Sequence, residues 1–200
     1  MVIKSKFALQ LIVWGIVALF SGSPVRAGEP TEAIRVAVNQ GIEILKSGDI
    51  KDKEQREQLI NRLRALVYPL FDFEEMAKRS LGPHWRRLTP QQRKEFVLVF
   101  TELLEKTYAD QIDLYEGQKV VYLNEKLDQN YAQVDTRVIG KNNEAFSVVY
   151  KLHRNNGKWT IYDVVAENIS IVNNYRSQFN RVIARSSFEE LMKTMKERAS

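Results

Sequence analysis

The chain offers few side chains suited to catalysis, and Asp163 is the strongest of them. It lies in an otherwise apolar stretch beside Tyr162, where an acid can act as a general base on an apolar substrate, as in cone-shaped α+β enzymes. The alternative is a structural role, with the carboxylate hydrogen-bonded to an arginine, a backbone amide or the Trp159 indole. We favour the structural role.

Other catalytic and metal-binding patterns are missing from the sequence. His84 lies in a Gly-Pro turn and His153 on the polar side of a predicted strand, so both are expected to be solvated or structural. The chain has no cysteine. It also contains no Gly-x-Ser-x-Gly elbow, phosphate-binding loop or His-Glu-x-x-His motif. We therefore expect no enzyme activity, no cofactor and no metal site.

One segment carries six positive charges with no acid between them. Such a run is usually a solvated face, but it can also meet a lipid headgroup or an acidic partner. Its members are Lys78, Arg79, Arg86, Arg87, Arg93 and Lys94. We single out Arg79, Arg86, Arg87 and Arg93 as a candidate partner or headgroup surface.

The apolar residues are the more informative part of the chain, above all between residues 89 and 115. Thr89 followed by Pro90 and Gln92 is typical of a capped helix start. Five consecutive apolar residues, 96–100, point around more than one turn, so this helix must be covered on several sides. The pattern predicts an enclosed apolar space, either a plain core or a cavity with apolar walls.

The remaining elements suit that role. Helical spacing predicts helices over Thr31–Lys46, Asp52–Val67, a short one from Asp72 to Gly82, Ile171–Ala184 and one after Ser187. Strand composition and turns predict four antiparallel strands, Val120–Leu123, Tyr131–Ile139, Phe146–His153 and Trp159–Ala166. The fold class is α+β, an antiparallel sheet of about four strands with helices on one face, enclosing an apolar pocket.

Alternation along the fourth strand predicts which side chains share a face. It puts Trp159, Ile161, Asp163 and Val165 on one side of the strand, and Tyr162 and Val164 on the other. The sequence does not indicate which side faces the helices.

The N-terminus predicts export. Residues 1–27 combine a basic start, an apolar stretch from Phe7 to Phe20 and a small-residue end at Ala27, as a signal peptide does. The mature chain, 28–200, is then one domain. Removing Lys4, Lys6 and Arg26 takes three charges from the net +5 and leaves +2, which argues against a nucleic-acid partner. A bacterial periplasmic location fits an exported chain without cysteine.

Two stretches resemble the MlaC family of periplasmic phospholipid carriers, also described as auxiliary components of toluene-tolerance ABC transporters. The first is Leu81-Gly82-Pro83-His84-Trp85-Arg86-Arg87-Leu88-Thr89-Pro90-Gln91-Gln92-Arg93. The second runs from Trp159 through Tyr162-Asp163-Val164-Val165 and Glu167-Asn168-Ile169-Ser170 to Asn174-Tyr175-Arg176-Ser177-Gln178-Phe179. Asn168 departs from the glycine often found in the family, but asparagine tolerates left-handed backbone.

The resemblance implies a monomeric shuttle that carries a glycerophospholipid between two membrane complexes, an outer-membrane lipoprotein–porin complex and an inner-membrane ABC transporter. A hopanoid or another apolar lipid is the alternative cargo. Two alternatives stay open, an enzyme acting in the same cavity and an adaptor that docks through the basic run.

Acyl chains are expected between the sheet and the helices, with the headgroup near solvent. A plain core is the alternative for every residue expected to line that space. These residues are Phe100, Leu103, Leu104, Tyr108, Val134, Val138, Val148, Tyr150, Leu152, Tyr175 and Phe179.

Overall fold

The computed structural model describes residues 28–47, 52–109 and 115–199, which form the predicted α+β domain. The predicted signal peptide lies outside the described residues. The helices are α1 Glu29–Ser47, α2 Lys53–Val67, α3 Phe73–Leu81, α4 Pro90–Ala109, α5 Ile171–Arg185 and α6 Phe188–Ala199. The strands are β1 Lys119–Asp128, β2 Tyr131–Ile139, β3 Ala145–Asn155, β4 Lys158–Ala166 and β5 Ile169–Ser170. Short 3-10 helices cover Tyr68–Leu70 and Gly82–Arg87.

The five strands form one antiparallel sheet in the order β1-β2-β3-β4-β5. The small β5 is the strand that the sequence did not predict. It follows a turn in which Glu167 and Asn168 have φ of 47° and 66°. The expectation that Asn168 accepts left-handed backbone is confirmed.

A β-bulge at Tyr162 corrects the predicted faces of β4. The pairing of β3 with β4 skips this residue, and an inserted residue reverses the alternation that follows it. Ile161 and Val164 therefore lie buried on one face, while Asp163 lies on the other. The prediction that grouped Ile161 with Asp163 and Val165 was wrong.

Helices cover the face of the sheet that carries Ile161 and Val164, which we call the inner face. α1 contacts β1, β2 and β4, and α3 and α5 pack beside β4. Val134, Val138 and Leu152 of the inner face are fully buried. The main hydrophobic core thus lies between the sheet and the helices.

The helix α4 is enclosed on most of its circumference, as its continuous apolar run predicts. Phe96, Val99 and Phe100 are buried, and both phenylalanine rings contact the ring of Phe179 at centroid distances of 5.7 and 5.8 Å. Leu98 is the exception, with 56% of its surface exposed. The run is therefore covered on three sides rather than on all of them.

The ends of α4 test the predicted helix limits. Gln92 N–H donates to Thr89 Oγ1 at 3.2 Å and Thr89 N–H to Gln92 Oε1 at 2.9 Å, so the capping box is confirmed. α4 is described as far as Ala109. The predicted continuation through residues 110–114 falls outside the described residues, and Tyr115 is not helical.

At the start of α3, Asp72 and Glu75 form only one of the two hydrogen bonds of a capping box. Glu75 N–H donates to Asp72 Oδ1 at 2.9 Å, but the Glu75 carboxylate turns to Lys78 and Arg79. Among the helices of the described ranges, none is both long and apolar enough to cross a bilayer.

Candidate functional site

An apolar cavity of about 240 Å³ lies between the inner face of the sheet and the helices α1, α2 and α4. We call it the main cavity. Its walls are almost entirely hydrocarbon. The lining residues are Ile34, Ala37, Val38, Gly41, Leu45, Ile60, Leu63, Arg64, Leu66, Val67, Tyr68, Leu70, Phe71, Phe73, Met76, Thr101, Leu104, Glu105, Tyr108, Ala109, Tyr150, Ile161 and Ile171.

The size of the side chains on α1 helps to explain why this region is hollow. Ile34, Val38 and Leu45 recur at helical spacing and bury one face of α1. Ala37 and Gly41 occupy the same wall and contribute almost no side-chain volume. A close-packed interior would need larger groups here, so the small residues leave space between α1 and α2.

The position of α1 is fixed from the sheet. Glu125 of β1 accepts hydrogen bonds from Thr31 N–H at 2.8 Å and Thr31 Oγ1 at 2.5 Å, which places a carboxylate at the positive end of the helix. Gly28 lies so close to Glu125 that a Cβ at this position would meet Oε1 at 1.9 Å. A larger residue here would require the flexible end of the Glu125 side chain to move away from Thr31.

The polar residues of the main cavity form a cluster at its solvent edge. Glu105 of α4 accepts from Arg64 Nε at 2.9 Å, and it also pairs with Arg64 Nη2. Its other oxygen accepts from the Tyr68 hydroxyl at 2.8 Å. We call Arg64, Tyr68 and Glu105 the latch, because they join α2 and the 3-10 turn to α4 across the cavity edge.

Charges in the latch support one another. Burial alone would raise the pKa of Glu105, but hydrogen bonds from Arg64 and Tyr68 outweigh it and hold that pKa below its ordinary value. Burial and the neighbouring carboxylate raise the pKa of Tyr68 to about 12. The carboxylate therefore stays ionised and the phenol neutral at physiological pH.

Deeper in the cavity the two other tyrosines are neutral. Burial raises the pKa of Tyr108 and that of Tyr150 above the ordinary value. Thr101 donates its hydroxyl to the carbonyl of Val97 at 2.8 Å, within its own helix. The interior thus presents hydrocarbon and neutral hydroxyls, which suits an apolar chain rather than a charged ligand.

Three of the eleven residues predicted to line the pocket line the main cavity. They are Leu104 and Tyr108 of α4 and Tyr150 of β3.

The structure places the other eight residues elsewhere. Phe100 and four strand residues lie in the packed core, with at most 1% of their surface exposed, because neighbouring side chains already fill the space above them. The four are Val134, Val138, Val148 and Leu152. Leu103, Tyr175 and Phe179 face a different cavity, between α4, α5 and α6. Lipid contact at these eight positions stays a prediction.

Half of the cavity residues that the sequence did not predict lie on α1 and α2. Ile60, Leu63, Leu66 and Val67 of α2 are each half-buried, and Leu59 is the one fully buried residue of this helix. An apolar stripe on a helix that is otherwise strongly charged was the available signal. Helical spacing alone predicts a core contact for such a stripe and does not distinguish it from a cavity wall.

The four arginines of the predicted basic surface lie away from the main cavity. Arg79 pairs with Glu75 at 2.8 Å and lies over the Tyr162 ring at 4.2 Å. Arg93 donates to the carbonyl of Trp85 at 3.2 Å. Arg86 and Arg87 are exposed on the 3-10 helix. None of the four lines the cavity, so their role toward a headgroup or a partner stays a prediction.

Asp163 is engaged in structure. Its Oδ2 accepts from the Ser170 hydroxyl at 2.7 Å and its Oδ1 from the Val172 N–H at 3.1 Å, while Lys151 Nζ lies 3.6 Å away. The prediction of a backbone amide partner is confirmed. The Trp159 indole donates instead to Glu29. Asp163 does not line the main cavity, so it is not placed to act on a ligand there.

The histidines and acids form no site of their own. His153 Nε2 lies 2.9 Å from Asp72 Oδ2, in a half-buried contact that ties β3 to the start of α3. In the described part of the chain, no group of three or more histidine, aspartate or glutamate residues is arranged to hold a metal ion.

The comparisons with known proteins agree on one family. The family model "MlaC protein" matches residues 35–197. An intermembrane phospholipid transport system binding protein, MlaC, from Haemophilus influenzae is 23% identical over 187 residues, 91% of this chain and 87% of that protein. Toluene tolerance protein ttg2D from Pseudomonas putida is 24% identical over 192 residues, 94% and 89% of the two chains.

A solved structure supports the fold. The phospholipid-binding protein from Ralstonia solanacearum, determined in complex with a phospholipid, superposes with a TM-score of 0.75 and 23% sequence identity. The match covers 86% of this chain and 97% of that one.

Proposed function

The chain belongs to the MlaC family, and on that premise we propose that it is a lipid-binding carrier whose main cavity holds the acyl chains of a glycerophospholipid. The relatives named above are a phospholipid transport binding protein and a toluene tolerance protein, and the matched structure is that of a phospholipid complex. Neither name describes an enzyme, and we propose a carrier without catalytic activity.

The observation that carries the proposal is the hydrocarbon lining of the main cavity. A two-chain lipid has about 30 methylenes, and moving each of them from an apolar environment into water costs about 0.8 kcal/mol of free energy. Free transfer through water would therefore cost about 24 kcal/mol. An apolar cavity removes that cost, whereas a polar ligand would find almost no hydrogen-bond partners in these walls.

The size of the main cavity implies that cargo widens it. Its volume of about 240 Å³ is below the range of about 300–1,000 Å³ that is usual for drug-sized ligands, and a phospholipid is larger still. An open groove of about 620 Å³ runs along the other side of α1. Ala37, Leu66 and Leu70 line both spaces, so they form a thin wall between them.

Cargo would enter by outward movement of α2 and the 3-10 turn. Parting this segment from α1 would join the main cavity to the groove. The latch resists that movement on the other side, because Arg64 and Tyr68 are held to Glu105 of α4. Both contacts are polar and half-exposed, so water can replace them at small cost. We place the headgroup at this solvent edge.

Location and partners complete the proposal. The signal peptide would be cleaved after Ala27 and the monomeric domain released into the periplasm. There it would exchange lipid with an outer-membrane lipoprotein–porin complex and an inner-membrane ABC transporter. Moving acyl chains between a bilayer and an apolar cavity is close to neutral in free energy. Direction must therefore come from partners that bind the loaded and the empty carrier differently.

Lipid extraction tests this function directly. Mature protein, residues 28–200, is purified from a bacterial periplasm, extracted with organic solvent and analysed by mass spectrometry. We expect about one glycerophospholipid per chain, and uptake of the same lipid after delipidation. Recovery of a hopanoid would change the proposed cargo but leave the proposed carrier function standing. Protein that carries no lipid and takes none up would rule the function out.

A further inference from the structure

A second cavity, of about 250 Å³, lies between α4, α5 and α6. α4 separates it from the main cavity, since Leu104 lines the main cavity and Leu103 the second one. Its floor is apolar and consists of buried side chains, among them Phe179, Leu191 and Met195. In the proposed function the acyl chains occupy the main cavity and not this second one.

The rim of the second cavity is strongly positive. Arg181 and Arg185 of α5 and Arg198 of α6 stand around it, with Gln178 and Thr194 beside them. No acidic residue of the described ranges lines the cavity. Within the same ranges, none of the three arginines makes an ion pair.

Their positions in the helices account for part of this arrangement. Arg185 and Arg198 lie in the last turns of α5 and α6, where a cation stabilises the helix dipole. That effect does not require three guanidinium groups to share one cavity, and it does not explain an open apolar floor beneath them. Uncompensated like charges repel one another, and an anionic occupant would remove the repulsion.

We propose that the second cavity is a docking site for an acidic segment of a partner protein, which inserts one apolar side chain flanked by carboxylates. The apolar side chain would cover the floor and the carboxylates would pair with the arginines. Arginine and buried aromatic groups around a pocket are typical of the residues that dominate protein interfaces. This inference does not depend on which lipid the main cavity holds.

Two other anionic occupants fit less well. Inorganic phosphate could pair with the arginines but would leave the apolar floor exposed to solvent. A membrane surface presents headgroups over a broad plane, and it cannot fill a floor that lies beneath the rim without extracting a lipid. An acidic protein segment satisfies both parts of the site at once.

A peptide titration tests the proposal on the lipid-loaded mature chain. The probe is an acetylated and amidated nonapeptide with one phenylalanine between two pairs of glutamates and serine elsewhere. Amide chemical shifts of isotopically labelled protein are followed at low ionic strength, up to about 10 mM peptide. We expect saturable shifts confined to α5, α6 and the α4 segment near Leu103, with Kd of about 1 mM.

Matched variants separate the site from general charge. Arg181→Glu with Arg185→Glu should weaken binding about fivefold or more. Lys141→Glu with Lys158→Glu makes the same change of net charge at exposed positions outside the cavity and should leave the affinity unchanged. Replacing the phenylalanine of the peptide by alanine should also weaken binding.

Several results would overturn the proposal. These are no saturable shift, equal weakening by both double variants, or inorganic phosphate producing the same shifts with equal affinity. Binding to phosphatidylglycerol vesicles that requires Arg181 and Arg185, in the absence of peptide binding, would assign the cavity to a membrane surface. Lipid extraction from the same samples shows whether the lipid-carrier function survives, so the two proposals fail separately.

Discussion

At the scale of single residues, Asp163 fixes the start of α5 to the sheet. It accepts from Ser170 and from the backbone of Val172 in a buried setting. We expect Asp163→Asn to lower the free energy of unfolding by about 1–3 kcal/mol, because an amide group cannot accept both bonds equally well. Urea denaturation measures the loss.

The lipid content of the Asp163→Asn protein separates the structural role from a catalytic one. Folded variant should retain the same amount of bound lipid as the original protein, since Asp163 does not line the main cavity. The structural role would be contradicted if Asp163→Asn left the stability unchanged but abolished conversion of a bound apolar substrate.

Asp72 predicts a dependence of stability on pH. Burial alone would raise its pKa, but hydrogen bonds from the Glu75 backbone, Asn155 and His153 outweigh it and hold the pKa below the ordinary 3.8. The folded protein thus binds fewer protons at this site than the unfolded chain. The stabilisation is present above about pH 4 and is lost as pH falls through the folded pKa.

The test compares urea denaturation between neutral pH and about pH 3. Asp72→Asn should be less stable near neutral pH, and its stability should fall less steeply below about pH 4. Asp128→Asn, which removes an exposed carboxylate at the end of β1, serves as the control. Identical pH profiles for the original protein and Asp72→Asn would contradict the assignment.

At the scale of elements, we expect cargo binding to depend on α2, which forms one wall of the main cavity. Leu63 lines the main cavity from α2 and is only half-buried, so a charge there is tolerated by the fold but not by an acyl chain. We expect Leu63→Glu to lower lipid recovery about tenfold while the unfolding transition persists. Lipid is quantified by mass spectrometry against protein.

The control for Leu63→Glu is the same substitution on an exposed leucine. Leu98 lies on α4 with 56% of its surface exposed and outside the main cavity. Leu98→Glu should leave lipid recovery unchanged. Equal losses in the two variants would mean that added charge, not its place in the cavity wall, removes the lipid.

We expect the latch to control how fast α2 moves. Glu105→Gln keeps the size of the side chain but removes the charge that holds Arg64 and accepts from Tyr68. If the contact is broken before lipid leaves, losing about 1 kcal/mol of its stabilisation lowers the barrier to release by the same amount. We therefore expect a fluorescent phospholipid to be released about five- to tenfold faster. Stopped-flow transfer to acceptor vesicles measures the rate.

Glu102→Gln is the matched control for the latch, because it makes the same change on the exposed side of α4, outside the main cavity. Its release rate should equal that of the original protein. If Glu105→Gln also releases lipid at the original rate, α2 and α4 do not part when cargo leaves.

The elements themselves were largely predictable from sequence, whereas the site was predictable only in part. Capping at Thr89 and the limits of β2 follow from local chemistry and alternation, and the structure confirms both. The bulge at Tyr162 depends on pairing with a distant strand, which no local pattern encodes. Likewise, Leu63 faces empty space rather than core because Ala37 and Gly41 of α1 are small. The spacing of apolar residues along α2 does not reveal how much space the facing helix leaves.

At the scale of the whole molecule, the sheet and helices divide the interior into a solid core and a hollow. Val134, Val138 and Leu152 are packed under the helices, so the hollow lies toward α1 and α2 rather than at the centre of the sheet. We expect the chain to keep its fold when the main cavity empties, because the core beneath the central strands is packed without cargo.

Photo-crosslinking of bound lipid tests the central claim most directly. Mature protein is loaded with a phospholipid that carries a diazirine in one acyl chain, irradiated, digested and analysed by mass spectrometry. We predict crosslinks on the cavity walls, within residues 34–45, 60–73 and 101–109. Crosslinks confined to residues 175–198, or to the outer face of the sheet, would contradict the claim that the main cavity holds the acyl chains.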